Sequence, residues 1–157
     1  MNYNEVVSSL RSLAREELRL KMVNAVRQDL MELENRSKSN TKAHEENQQR
    51  LAKKAAVLNF KLSQLAENDP EREEKLTASQ ETLKAIAAEQ ASDNEDFAKL
   101  SEAFTKQIAE VSKEIEKIQA GEVKVNKDEL EAITNRLISE VTVELAKEVA
   151  TTVQQAA

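Results

Sequence analysis

A chain of 157 residues with a single glycine, Gly121, and a single proline, Pro70, has almost nowhere to turn. Hairpins, bulges and tight turns draw on Gly, Pro and Asn-Gly pairs, so most of this sequence must be regular structure with few corners. The residues between are mostly Ala, Glu, Lys, Leu and Gln, which favour helix over strand. The class that follows is all-α, biased toward long helices and coiled coil.

Stop signals fall in two places. In "ENDPERE", Pro70 cannot extend a preceding helix but suits the first turn of a new one, and Asp69 reads as its N-cap. In "QAGEVKVNKDEL", Gly121 lies just past the last apolar position and suits a left-handed C′ cap. Asn126 then has Glu129 at N3, the spacing of a capping box, and Val125 and Leu130 stand at the positions of a hydrophobic staple. Asn2 and Glu5 offer a weaker box. The organisation predicted is a single helical domain over 1–157, with helices over 1–67, 70–119 and 127–155 and a hairpin tip near 68–70.

The stretch "RSKSNTKAHEENQQR", residues 36–50, holds one apolar residue, Ala43, and could be a linker. The apolar register decides against that. Leu30 and Leu51 are 21 residues apart, three whole heptads, so the stripe of Val23, Leu30, Leu51, Leu58 and Leu65 keeps its phase across the polar interval. The second helix carries Leu76, Leu83, Gln90, Phe97, Phe104, Val111 and Ile118 at sevenfold spacing. Folding the two about residues 68–70 sets position n opposite about 138 − n, which brings the polar interval onto "EQASDNED" and Val23 beside Ile115. Arg36 then falls near Glu102 and Lys42 near Asp96. At about 1.5 Å per residue such a hairpin would run on the order of 75–95 Å. If the first helix broke near Ser37–Thr41, a compact four-helix bundle would result instead.

The third helix has a stripe of Leu130, Ile133, Leu137, Val141, Leu145, Val149 and Val153, widened by Ile138 and Val143. The start of the chain, with Leu10, Leu13 and Leu20, is likewise apolar on more than one side. Helices apolar over so wide an arc have more than one neighbour. The fold expected is therefore a long antiparallel coiled-coil hairpin with a third helix packing at the base. Leu10, Leu13, Leu20, Leu130, Ile133, Leu137, Val141, Leu145 and Val149 would form its packing and oligomer interface.

Little here points to catalysis. His44 is the only histidine and there is no cysteine, so neither a histidine cluster nor a thiolate metal site can form within one chain. Thr41 stands where a Glu-x-x-His iron motif would need its glutamate. His44 instead keeps the phase of Leu30 and Leu51 and joins Ser37, Asn40 and Asn47 in a polar seam facing Gln90 and Asn94, a device that fixes register. The carboxylates fall on solvated faces, and one glycine cannot build a phosphate loop. No catalytic residue, cofactor or metal site is expected.

Charge is divided along the chain. Residues 1–65 hold 12 Lys/Arg against 8 Asp/Glu, a balance of +4, and 66–157 hold 11 against 21, a balance of −10. The ladder Arg11, Arg15, Arg19 is expected to pair with the acidic helices, and a pI of about 5.1 with few aromatics argues against nucleic acid. No apolar run could span a bilayer and no secretion signal is visible, so a cytoplasmic location, or one within a particle, is expected. The leading functional reading is a non-enzymatic interaction protein that forms homo-oligomers, a coiled-coil scaffold, spacer or assembly component of a large particle such as a viral one. Its alternatives are a small acidic inhibitor or regulator of a basic site, and a holdase clasping clients at its tip. In every reading the partners are proteins.

Overall fold

The computed structural model describes residues 2–156. They form three helices, α1 Tyr3–Ser63, α2 Arg72–Gln119 and α3 Lys127–Ala156, with no strand among the described residues. Helices α1 and α2 pack against each other as an antiparallel hairpin and α3 packs at its base. Helix α1 runs unbroken through 36–50, which excludes the compact four-helix bundle. None of the described helices is both long and apolar enough to cross a membrane.

The helix ends show why the chain turns where it does. Asn2 and Glu5 form a reciprocal capping box: the Asn2 amide donates to Glu5 Oε2 at 3.1 Å and the Glu5 amide to Asn2 Oδ1 at 2.9 Å. At the start of α3, Asn126 Oδ1 accepts from the amides of Asp128 and Glu129 at 2.9 and 3.2 Å. Gly121 has φ +77°, the Glu122 amide reaches the Lys117 carbonyl and the Gly121 amide that of Ile118. These two bonds are a complete Schellman closure.

The tip differs from expectation. Helix α1 stops at Ser63 rather than 67, and α2 begins at Arg72 rather than 70. With no glycine available, the last turn of α1 tightens: the Gln64 amide is shared between the Phe60 and Lys61 carbonyls, and the Leu65 amide bonds Leu62 only three residues back. The Ser63 hydroxyl takes the Phe60 carbonyl as well. Asp69 still caps the next helix, accepting the Glu71 amide at 2.9 Å on one oxygen and Lys75 Nζ at 3.0 Å on the other. The Glu71 amide first, and Lys75 after it, hold the Asp69 carboxyl below its usual range.

The described chain resolves into two compact units, one made of residues up to Leu30 and from Val111 onward, the other of Met31–Glu110. In the first, Val23, Ile115 and Ile118 form a buried cluster joined by Met22, Val26, Leu30 and Val123. Ala14, Leu18 and Leu130 form another, joined by Val125, Ile133 and Leu137, so the staple pair meets there. Enclosing a side chain such as Leu18 contributes about 1.5–3 kcal/mol. In the second unit the cross-helix pairs His44–Asp93, Gln48–Gln90, Arg50–Glu89 and Gln48–Asp93 have residue numbers adding to between 137 and 141, close to the expected 138.

Candidate interaction surfaces

Within the unit Met31–Glu110 the polar seam is a connected network. His44 Nδ1 lies 2.7 Å from Asp93 Oδ2, and Gln48 Nε2 donates to the same oxygen at 2.9 Å and to the Gln90 carbonyl at 3.2 Å. The His44 ring stacks on Phe97, centroids 4.1 Å apart and planes within 4°. The Gln48 amide, then the Asn47 side chain and His44, hold the Asp93 carboxyl below its usual range against the opposing effect of partial burial. Ser37, Asn40, Asn47 and Gln90 are half-buried along this seam, and the Ser37 carbonyl accepts the Thr41 hydroxyl. Asn40 Nδ2 is enclosed without a hydrogen-bond partner among the described residues.

Asn94 is not part of the seam. It is exposed, and Asp93 takes the role expected of it. The inward positions of α2 run Ile86, Gln90, Asp93, Phe97, alternating steps of four and three, so Asn94 falls one residue past the seam. The same geometry removes the expected pairs Arg36–Glu102 and Lys42–Asp96, which do not form among the described residues. Mirror pairing fixes the level along a helix but not the direction, and Arg36 and Lys42 are exposed.

Beside the seam, next to the fully buried Leu51 and nearly buried Ile86, lies an open groove of about 650 Å³. Val57, Leu58, Ala85 and Ile86 give it apolar walls, Thr82 and Glu89 stand on the α2 side, and Arg50, Lys53 and Lys54 line the α1 side. Arg50 is held by Asn47 at 2.7 Å and Glu89 at 3.3 Å, whereas Lys53 and Lys54 have no ion pair among the described residues. The sequence carried the signal: between Glu46 and Glu67 the charges are all positive, at Arg50, Lys53, Lys54 and Lys61.

In the other unit α3 presents the second surface. Leu130 is buried and Ile133, Leu137 and Val141 are half-buried, but from Thr142 onward every described residue is exposed. Leu145 is 56% exposed, and Val149 and Val153 are 63% exposed each. They continue the packed stripe at fourfold spacing, and none of the described residues covers them. Leu10 is buried on α1, whereas Leu13 and Leu20 are exposed. Arg136 bridges to Glu17 at 2.6–2.8 Å, which fixes α3 on α1 and raises the Arg136 pKa.

The arginine ladder does not pair with acidic helices: no ion pair of Arg11, Arg15 or Arg19 occurs among the described residues. The Arg19 guanidinium lies against the open face of Gly121, and its Nε is enclosed without a partner. Among the described residues no three of His, Cys, Asp and Glu gather as a metal-holding group. No protein-family model, curated protein or solved structure matches this chain.

Proposed function

We propose that this protein is a non-enzymatic interaction protein, a coiled-coil scaffold or spacer that assembles with further copies of itself through α3. The observation that carries the reading is the apolar stripe of α3, which is covered from Leu130 to Val141 and then continues bare through Leu145, Val149 and Val153. A contiguous apolar face of this kind marks an interaction surface, and a stripe at helical spacing fits another helix. In the same unit the exposed Leu13 and Leu20 leave further apolar area for such contacts.

Sedimentation velocity over a range of micromolar concentrations tests the reading. Association is expected for the native chain, and the double variant Leu145→Asp/Val149→Asp should sediment as a monomer with unchanged helix content. A native chain that stays monomeric across that range would overturn the proposal.

A further inference from the structure

We propose that the groove of the Met31–Glu110 unit receives the bare α3 stripe of a second copy, so that assembly is head-to-tail. This inference rests on the self-assembly reading above and names the receiving surface. Three features of the groove match that helix. Its walls are apolar, at Val57, Leu58 and Ile86. The α1 helix lines it over the nine residues from Arg50 to Leu58, and Leu145 to Val153 is nine residues too, about 12 Å of helix in each case.

The charges decide the choice of occupant. Glu144 and Glu148 lie along one flank of the α3 stripe, just ahead of Leu145 and Val149. Glu148 has no ion pair among the described residues, and Glu144 has only a loose one to Lys147 at 3.8 Å. Lys147 points to the opposite side of the helix from Leu145, two residues and about 200° away. Two α3 stripes laid together would therefore give these acids no cation. The groove offers Lys53 and Lys54 on one rim only, which suits a helix that is acidic on one flank only.

A donor surface on one copy and a different acceptor surface on the next make a heterologous contact, which grows into rings or open filaments instead of stopping at a dimer. Charge complementarity of this type selects partner and orientation, while the apolar stripe supplies most of the contact area.

Charge reversal in sedimentation velocity tests the pairing, with circular dichroism confirming that each exposed substitution leaves the helices intact. Lys53→Glu/Lys54→Glu and Glu144→Lys/Glu148→Lys should each weaken self-association by roughly tenfold, from two pairs each worth a few-fold. Mixing the two variants should restore assembly, because each groove then meets a stripe of opposite charge. The chain carrying all four changes should assemble by itself. If the native chain associates but Lys53→Glu/Lys54→Glu leaves it unchanged and mixing rescues nothing, the groove is not the acceptor, although self-assembly through α3 stands. If the native chain is monomeric, both proposals fall.

Discussion

Replacing Gly121 by alanine separates two demands that meet at this residue. Its φ of +77° is a conformation that costs an L-residue about 1–2 kcal/mol. Alanine returns about 0.4–1 kcal/mol by restricting the unfolded chain. The new methyl would also lie 3.1 Å from Arg19 Nη2 and 3.4 Å from Cζ, closer than carbon atoms ordinarily approach. Shifting the guanidinium by a few tenths of an ångström adds on the order of 0.5–1 kcal/mol, the cost of a side chain held off its rotamer. The net loss is about 1–2 kcal/mol, read as a lowered urea midpoint at unchanged slope. A double-mutant cycle with Arg19→Ala isolates the contact: in that background Gly121→Ala should cost about 0.5–1 kcal/mol less. Gly121→Asn, which tolerates the left-handed region, should be milder than alanine at the backbone level. If Gly121→Ala is neutral and shows no coupling to Arg19→Ala, neither the strain nor the close approach holds the Schellman closure as argued.

Other variants address the second unit and the start of α3. Leu51→Ala empties a fully buried position and should cost about 2–5 kcal/mol, with hydrogen exchange showing the loss in the amides around residues 44–58. Asn40→Leu removes an enclosed donor without a partner from the seam and should raise stability by about 1 kcal/mol in urea unfolding. Asn126→Ala deletes the acceptor for two amides and should cost about 1 kcal/mol, seen as fraying of the first turn of α3 by exchange. Because the Asp93 carboxyl is held below its ordinary value of 3.8, its contribution is present above that value and is lost as pH falls through the lower, folded one. Stability should thus hold down to about pH 5 and decline below about pH 4, and Asp93→Asn should flatten part of that decline.

How much of this was legible in the sequence depended on whether the signal was axial or azimuthal. Heptad phase carried α1 through 36–50, because Leu30 and Leu51 keep register only if the backbone between them is helical. The cap at Gly121 was readable because it is the only glycine, and the cap at Asn126 because Glu129 stands three residues on with Val125 and Leu130 at the staple positions. The level of cross-helix pairing followed from the corner at residues 68–70, to within three residues. What mirror counting could not supply was direction around the helix, and so it chose Asn94 over Asp93 and paired the outward Arg36 and Lys42. The end of α1 differs for another reason: Leu65 keeps the heptad phase, but without a glycine cap the helix ends at Ser63 and Leu65 itself closes a three-residue turn onto Leu62. The groove was hidden because its residues come from two segments, and only the all-positive run from Arg50 to Lys61 hinted at it.

The division of charge along the chain takes on a new sense from the pairs that form. A +4 first segment and a −10 remainder suggest cancellation within the fold, yet the described ion pairs between helices do little of it. Arg50–Glu89 runs in the expected sense, and His44–Asp93 does so when the imidazole is protonated. Glu17–Arg136 runs the other way, with the acid on the basic segment. The remaining described ion pairs link near neighbours in sequence, such as Lys99–Glu95 and Lys147–Glu144. Most of the asymmetry is therefore left on the surface, and it includes positive charge beside the groove at Lys53 and Lys54 and negative charge beside the α3 stripe at Glu144 and Glu148. Charges left over in this arrangement favour contact between unlike surfaces of different copies and disfavour contact between like ones, which is the condition for head-to-tail growth. Raising the ionic strength should accordingly slow association and weaken it modestly, while the apolar stripe keeps some association at high salt. Complete insensitivity to salt would assign the contact to the apolar face alone and remove the reason for preferring the groove.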